Sequence, residues 1–537
     1  MLKSFYTHLP LHSGKTDIHN ESIIFKNNKW LFDKSVWQRM FRSMGESGFD
    51  SIVISNSDPF PFINFEDNSM PLDIKSQYID IFKWIIENSL DYGISPYMKF
   101  NVLDRNNVQY YKNSIKNLLE VYPEIVGIIV DLSILDTSLF DSYIQKSIID
   151  IVDSVRPDSQ IIFSGINENN IDDINKLKRR NNREIKYSVQ YTSSFIVDAQ
   201  SSSFFDRSIE LFENEKIIAE FRIENFSPWT SFSYETSENI LENIEDLGIY
   251  GFCLYPIDQI QWPHCSDTGF KYQFQRDKIW YSVWGGAGFE SLLNEGKPKW
   301  LLRNRKLIYG FQSASKIIEV ITLYFAGNRD YLWIPQLSCM FDTKAKRLQL
   351  YSISDMLDIN FNNDIDLQTP WQDITGDRKV SISEYIIRGT TDDSYGPEEL
   401  IDEIADLAEQ AVESAEKGMR NASGEKELPS LSKDAFCMGK LGFFYIERIR
   451  AALAHSRSEQ SEAIEHLKRA IGMMKEIRAV DMSHRKYLKI KAENSFLSVN
   501  WNDIIAALEA EYNDALSEKY LSGSNYIVNI DGETDEK

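Results

Sequence analysis

The chain has 537 residues, which is too long for one ordinary hydrophobic core and predicts at least two structural units. Its 58 Lys and Arg residues stand against 81 Asp and Glu residues, and the formal net charge of −23 argues against general nucleic-acid binding or a polybasic membrane anchor. The four cysteines are scattered and form no CxxC pair, which excludes a disulfide framework or a structural zinc site of that type.

The first ten residues, MLKSFYTHLP, contain no apolar segment of the signal-peptide type. No stretch approaches the roughly 18 uninterrupted apolar residues of a membrane span. The sequence as written therefore predicts a soluble, cytoplasmic protein with neither nucleic acid nor a membrane among its partners. A secreted or periplasmic protein with its leader trimmed would have the same pattern.

The first 290 residues alternate between short β-rich segments and amphipathic helical segments. We predict eight strands, over residues 3–8, 50–55, 94–101, 125–131, 160–165, 185–191, 217–224 and 250–255. We predict helices after them, over residues 36–47, 77–92, 108–121, 141–155, 171–180, 204–213, 235–247 and from about 276. Strands separated by helices pair in parallel, and eight such units fit an α/β fold of the (β/α)8 TIM-barrel type. A doubly wound sheet is the alternative, but neither GxGxxG nor a P-loop supports it.

The pattern changes after residue 300. We predict helices over residues 304–325, 397–419, 433–454, 458–480 and 500–516, with apolar residues at the three-and-four spacing of a helical bundle. The predicted organisation is a barrel over 1–295, a mostly α-helical C-terminal domain over 296–520 with an irregular insertion near 338–392, and a frayed, polar acidic tail over 521–537. We expect the helical domain to seal the barrel or to form a homo-oligomer face.

Functional residues of a TIM barrel lie at the C-terminal ends of its strands. Glu220, Arg222 and Glu224 alternate along the seventh strand and share a face, either as an internal ion-pair network or with Glu224 in a cleft. Asp131 follows an apolar strand and is the candidate for a second carboxylate, with bonding to loop amides or capping of the next helix as its structural alternative. Paired carboxylates suit glycoside hydrolysis, in which one protonates the leaving oxygen and the other attacks or activates water. We therefore predict catalytic roles for Asp131, Glu220 and Glu224.

Other strand-end residues are candidates for substrate binding. Lys99 and Arg222 are the cations predicted to receive a uronate or sulfate, with a plain ion pair to Asp131 or a neighbouring Glu as the alternative. Three rings that could stack on sugar faces, or pack in the core, are Trp229, Trp262 and His264. The remaining candidates are Asn101, Glu168, Tyr191 and Asp258.

We predict no cofactor and no metal site. The three histidines near the first strand lack a carboxylate-supported ligand spacing, and they are His8, His12 and His19. The Asp/Asn clusters at 358–366 and 373–377 lack the spacing of an EF-hand loop.

Five short segments carry a resemblance to a known family. They are NFSPW (225–229), YGFCLYP (250–256), QWP (261–263), RDKIWYSVWG (276–285) and KLGFFYIERIRA (440–451). This set is similar to glycoside hydrolases of polysaccharide-degrading gene clusters, distant relatives of the α-glucuronidase barrel with a C-terminal helical domain. The resemblance implies that fold and a carbohydrate substrate, and it assigns no catalytic residue. The sequence WGGAGF (284–289) departs from the family, which has an arginine and an Asn-Pro turn there.

The sequence therefore predicts a glycoside hydrolase acting on an oligo- or polysaccharide that can contain uronic acid. The first alternative is a non-catalytic carbohydrate-binding or assembly protein with a degenerate barrel, which the glycine run and the missing arginine favour. The second is a lyase or isomerase with a rim metal or with Lys99 or Tyr191 as its base.

Overall fold

The structure of the protein is a computed structural model, and its description covers the greater part of the chain. The described residues are 1–8, 25–26, 29–30, 33–55, 63, 72–101, 108–133, 144–191, 201–222, 229, 233–255, 270–276, 278–287, 305–325, 333–342, 345, 347–357, 378–389, 394–420, 427–485, 488–492, 495–520 and 525–531.

Eight parallel strands form a closed barrel in which each pairs with the next in the chain and the last pairs with the first. The strands β1 to β8 are, in order, Leu2–His8, Ser51–Ser55, Ser95–Asn101, Gly127–Asp131, Gln160–Ser164, Ile185–Gln190, Ile217–Arg222 and Gly251–Tyr255. Between β1 and β2 lie two strands of two residues each, Phe25–Lys26 and Lys29–Trp30, which pair antiparallel. The predicted TIM barrel is confirmed, and the doubly wound alternative is wrong because this sheet has no open edge.

Helices follow the barrel strands as the alternation predicted. The helices α1 to α9 are Lys34–Glu46, Leu72–Asp91, Val108–Val121, Asp150–Val155, Ile171–Arg180, Ser203–Phe212, Tyr234–Asp246, Gln273–Arg276 and Lys278–Ser282. Several begin at a side-chain cap, as when Ser233 Oγ accepts from the Thr236 amide at the start of α7. In the helix predicted over 141–155, the described residues form a π-helical turn, Gln145–Ile149, followed by the short α4.

The two faces of the barrel strands are buried in different surroundings. Side chains such as Phe5, Ile54 and Val130 face outward and join the large core beneath the helices. The opposite faces form a small interior cluster, made of Val53, Tyr97, Ile129, Ile162, Ile218, Cys253 and Tyr255. Because successive side chains of a strand alternate in direction, strands buried on both sides are nearly continuously apolar.

The glycine run after α9 has a packing role. A Cβ atom on Gly285 would lie 1.5 Å from the carbonyl oxygen of Ser47, at the end of α1. The Gly285 carbonyl also accepts a hydrogen bond from Lys3 Nζ at 2.6 Å. The close backbone approach explains why glycine stands here, so the run is not by itself a sign of a degenerate site.

The C-terminal region is mainly helical, as predicted. The helices α10 to α15 are Arg305–Phe325, Ile382–Arg388, Pro397–Arg420, Glu427–Ser456, Gln460–Asp481 and Trp501–Leu516. The strands β9 to β17 are Trp333–Ile334, Cys339–Asp342, Arg347–Leu350, Arg378–Lys379, Ser394–Tyr395, Leu488–Ala492, Ser495–Val499, Ile527–Val528 and Ile530–Asp531. Among the described residues, no helix has both the length and the apolar character needed to cross a bilayer.

Two features of the C-terminal region differ from expectation. The tail predicted to fray is partly ordered, because β16 pairs with β11 and β17 pairs with β15. Tyr526 and Val528 are buried there, and two apolar anchors in a polar segment suffice to add an edge strand. The hairpin β14–β15 was also not predicted from the sequence.

Candidate active site

A buried ion pair lies at the C-terminal end of the barrel. Lys99 Nζ on β3 is 2.9 Å from Asp131 Oδ2 at the end of β4, and the two side chains are 7% and 18% exposed. The other carboxylate oxygen of Asp131, Oδ1, accepts a hydrogen bond from the Ser133 amide at 3.0 Å. Both structural alternatives weighed for these residues, an ion pair and bonding to a loop amide, are therefore present. With both contacts in place, the side chain of Asp131 still has some access to solvent.

The surroundings of Asp131 keep it ionised. Burial raises the pKa of its carboxyl, but the Lys99 ammonium and the hydrogen bonds from Ser133 outweigh burial and lower the pKa to about 2. An acid with so low a pKa carries no proton to donate at neutral pH. Asp131 is thus suited to act as a nucleophile, a base or a stabiliser of positive charge, and not as a general acid.

The glycine that directly follows β5 leaves room for the side chain of Asp131. Gly165 has a φ of +68°, and a Cβ there would lie 2.2 Å from Asp131 Oδ1 and 2.7 Å from the Ser133 nitrogen. Asn170 Nδ2 ties the two neighbouring loops together by donating to the carbonyls of Gly165, at 3.0 Å, and Leu132, at 3.2 Å. Sequence reasoning missed Gly165, although a glycine directly after a buried strand could have indicated a close approach.

A second carboxylate faces the barrel interior from β7. Glu220 is 5% exposed and its Oε1 accepts a hydrogen bond from Ser188 Oγ at 2.7 Å. Burial raises the pKa of the Cys253 thiol, the charge of Glu220 raises it further and the charge of Lys99 lowers it. Cys253 belongs to the interior cluster and is the register partner of Glu220, and Lys99 contacts Tyr255 of the same cluster, so Lys99 and Glu220 face the same interior space.

Tyr255, at the end of β8, completes the surroundings of Lys99. Its hydroxyl accepts a hydrogen bond from Lys99 Nζ at 3.4 Å, and its ring centroid lies 5.7 Å from the same nitrogen. The ammonium therefore lies between Asp131 and Tyr255, on strands that are separated around the barrel. Neither Tyr255 nor Ser188 was among the site residues predicted from the sequence.

Two further predicted binding residues are buried outside the barrel interior, and a third makes a surface ion pair. Tyr191 is buried on the outer side of the barrel, with its ring 4.8 Å from that of Phe205, because it follows Gln190, whose register partner Glu220 faces inward. Glu168 is exposed and pairs with Arg207 Nη1 at 2.6 Å. Trp229 has no exposed surface and packs against the helical region, so the expectation of a sugar-facing ring is wrong for it. Tyr191 is equally unsuited to be a rim base.

For two of the remaining predicted residues the structure describes the backbone, and the others lie outside the described ranges. Asn101 and Arg222 end their strands, beside Asp131 and Tyr255 in the register, so their backbones reach the same end of the barrel. The predicted residues outside the described ranges are Glu224, Asp258, Trp262, His264, His12 and His19. Within those ranges, no three His, Cys, Asp or Glu side chains gather as metal ligands.

Comparison with known proteins shows similarity of fold. No protein-family model matches the chain, and no curated protein matches its sequence. The solved structure of a GH138 enzyme targeting the pectin rhamnogalacturonan II covers 96% of this chain and 67% of its own, with 13% identity and a TM-score of 0.76. The match to a Thermobaculum terrenum O-GlcNAc hydrolase mutant covers 92% of this chain and 93% of that one, with 8% identity. Its TM-score of 0.44 is too low to support a shared fold. The first similarity shows that this chain shares the fold of that enzyme over both the barrel and the helical region.

Proposed function

We propose that the protein is a glycoside hydrolase that acts on uronic-acid-containing oligosaccharides or polysaccharides. The observation that carries this proposal is Asp131, an ionised and rigidly held carboxylate at the C-terminal end of a TIM barrel. That end of the barrel is where the strand-following loops converge and where enzymes of this fold act. The fold is that of a solved glycoside hydrolase.

The charge state of Asp131 determines which catalytic role we assign to it and which to a second carboxyl group. Because Asp131 is already ionised, the proton for the leaving oxygen must come from another carboxyl, and we assign that role to Glu224, two residues after β7. Asp131 attacks the anomeric carbon or takes a proton from the attacking water. The glycosidic C–O bond breaks, the leaving oxygen gains the proton of Glu224, and water finally supplies a hydroxyl to the anomeric carbon and a proton to the enzyme. Glu220 has a supporting role, as a second carboxyl group that faces the barrel interior.

The proposed substrate class rests on two supports. Lys99 already pairs with Asp131, so Arg222, whose backbone lies beside that of Tyr255, is the cation that we assign to the uronate. The GH138 enzyme of similar fold targets a pectin, which makes rhamnogalacturonan II the first polymer to test.

The test is incubation of the protein with oligosaccharides from rhamnogalacturonan II, with mass spectrometry to detect the gain of one water per cleaved bond. We expect cleavage by the wild type and a loss of roughly 10³-fold or more in kcat for Asp131→Asn and for Glu224→Gln. Arg207→Ala, in a surface pair away from the barrel interior, is the matched control and should retain activity. Full activity of both amide variants would contradict the proposal.

One observation favours a second function, that of a non-catalytic carbohydrate-binding protein. Both oxygens of Asp131 have hydrogen-bonding partners and its charge is balanced by Lys99, as in a purely structural ion pair. This alternative predicts saturable binding of the same oligosaccharides, measured by calorimetry, with no cleaved product after prolonged incubation.

A further inference from the structure

A buried asparagine lies beside the backbone that surrounds Asp131. Asn170 directly precedes α5, and only 2% of its surface is exposed. An asparagine at this N-cap position ordinarily accepts hydrogen bonds from the first amides of its helix, but Asn170 makes no such bond. Its Oδ1 accepts instead from the Asn167 amide at 2.9 Å, and its Nδ2 donates to the carbonyls of Leu132 and Gly165. The side chain thus serves the neighbouring loops rather than its own helix.

The peptide unit between Leu132 and Ser133 links Asn170 to Asp131. The carbonyl oxygen of this unit belongs to Leu132 and accepts from Asn170 Nδ2 at 3.2 Å. Its N–H belongs to Ser133 and donates to Asp131 Oδ1 at 3.0 Å. A peptide unit is planar and rigid, so a contact that fixes the direction of the carbonyl also fixes the direction of the N–H. Asn170 therefore reaches the carboxylate through one rigid group.

Backbone contacts hold this peptide unit from the other side. The Leu132 amide donates to the carbonyl of Ser164, the last residue of β5, at 2.8 Å. A Cβ atom on Gly165 would lie 2.7 Å from the Ser133 nitrogen, so the two loops touch at the donor itself. The Gly165 carbonyl takes the second bond of Asn170 Nδ2, at 3.0 Å. The Ser133 amide is thus placed by the backbone after β5 and by Asn170 together.

The Ser133 amide also influences the charge of Asp131. Burial raises the pKa of the Asp131 carboxyl, whereas the Lys99 charge and the hydrogen bonds from Ser133 lower it to about 2. A backbone N–H that donates to a carboxylate stabilises its ionised form. If the peptide unit turned away, the carboxylate would lose a donor that fixes its direction and its pKa would rise.

We infer that Asn170 is a positioning residue, which fixes the peptide unit between Leu132 and Ser133 and through it the orientation of the Asp131 carboxylate. The inference rests on the proposed catalytic role of Asp131. A carboxylate that attacks a carbon or activates a water must point in one direction, and a displacement of about 1 Å can cost about 10²-fold in rate. Asn170 should therefore act on kcat more than on KM.

Two alanine variants in the same loop separate positioning from a general loosening of that loop. Asn170→Ala removes the bond to the Leu132 carbonyl. Asn167→Ala removes the bond that Asn167 Oδ1 accepts from the Asn169 amide and the longer one that its Nδ2 donates to Gly165, and it leaves Asn170 Nδ2 in place. With rhamnogalacturonan II oligosaccharides, kcat should fall about 10- to 100-fold in Asn170→Ala, with KM changed less than about threefold, and should be retained in Asn167→Ala.

A double-mutant cycle in the free energy of unfolding supplies a readout that needs no activity. Asp131→Asn is combined with each alanine variant, and urea denaturation at neutral pH measures the stability of every protein in the cycle. A tenfold weaker ionisation of Asp131 in Asn170→Ala would reduce the cost of Asp131→Asn by about 1.4 kcal/mol. We expect a coupling of this size between Asn170 and Asp131, and no coupling beyond experimental error between Asn167 and Asp131.

A third variant and the pattern of outcomes complete the test. Asn170→Leu keeps a branched side chain without donors, so it carries the test if the cavity in Asn170→Ala prevents folding. Failure of both Asn170 variants to fold would overturn the positioning role in favour of a role in folding. Equal losses of kcat in the two alanine variants, or no coupling of Asn170 to Asp131, would overturn it as well. If the wild type shows no turnover, the proposed function fails, while coupling confined to Asn170 would still establish that this residue orients Asp131.

Discussion

The barrel end and the helical region bury charged pairs in different ways. In the helical region, Arg448 on α13 and Glu511 on α15 are 0% and 3% exposed, with Arg448 Nη1 2.6 Å from Glu511 Oε2. Arg448 Nη2 also donates to the carbonyl of Tyr351 at 2.5 Å, and Glu511 Oε1 accepts from the amide of Ile353 at 2.7 Å. This pair is sealed from water and joins two helices to an irregular segment of backbone.

The pair at the barrel end remains partly open. Asp131 keeps 18% of its side-chain surface exposed, although its partner Lys99 is almost fully buried. Removal of one partner from a sealed pair leaves an uncompensated buried charge and so costs stability, whereas a pair with one accessible carboxylate can also meet a substrate. The difference predicts that substitutions in the helical pair change mainly stability and that substitutions at the barrel end change mainly function.

The largest stability effect is expected for Arg448→Met. The substitution leaves Glu511 as a buried carboxylate without its cation, so the free energy of unfolding should fall by about 3–5 kcal/mol. Urea denaturation measures this loss. The double variant with Glu511→Leu removes both charges and should recover part of the loss. A loss below about 1 kcal/mol in the single variant would break the comparison between the two pairs.

Asp131→Asn should lose turnover and also lose stability in a pH-dependent way. The pKa of Asp131 is lowered from 3.8 to about 2 in the folded protein, so its ionised form stabilises the fold above pH 3.8. The gap in unfolding free energy between wild type and variant should include about 2 kcal/mol from this source at neutral pH. It should shrink as the pH falls through about 2, because the folded carboxyl is then protonated too. Denaturation at several pH values measures the gap, and a gap that does not change with pH would contradict the ion-pair account.

A smaller effect is expected for Gly165→Ala, with Gly93→Ala as its control. Both glycines have positive φ, +68° and +72°, so alanine is strained by roughly 1 kcal/mol at either position. Only at Gly165 would the new Cβ meet Asp131, since nothing lies within 4 Å of a Cβ at Gly93. We therefore expect a lower melting temperature in Gly165→Ala than in Gly93→Ala, and a loss of oligosaccharide cleavage in Gly165→Ala alone. Equal cleavage activity in the two glycine variants would show that cleavage does not depend on the position of the Asp131 side chain.

The smallest effect is expected at the surface pair of Arg207 with Glu168. Its side chains are 44% and 63% exposed, and solvent screens such a pair. Arg207→Ala should change the free energy of unfolding by less than about 1 kcal/mol. Thermal denaturation measures the change. A larger loss would mean that exposure alone does not separate stabilising pairs from weak ones in this protein.

The sequence predicted the fold more fully than the site. Alternation of apolar strands and amphipathic helices located all eight barrel strands, and α3 and α5 have the predicted bounds. The main errors were the hairpin β14–β15 and the tail, where pairing with distant strands decided the structure of segments with weak local preference.

The site was predicted only in part. Asp131, Lys99 and Glu220 were identified as strand-end residues, and they do face the barrel interior or its C-terminal end. Tyr191 and Trp229 were assigned to the same end on equal grounds and are buried elsewhere. Nearness to a strand end does not say on which side of the sheet a ring will pack, because a shift of one residue reverses the face.

The sequence by itself determined the order of elements, since periodic burial and helix caps are properties of neighbouring residues. Only the tertiary structure decided which side chains meet. Barrel closure brings Tyr255 to Lys99, which is 156 positions away in the chain, and packing of the helical region brings Asp481 to Trp229, which is 252 positions away. Such contacts depend on strand register and on the way distant surfaces fit together, and neither is encoded in any local stretch of the chain.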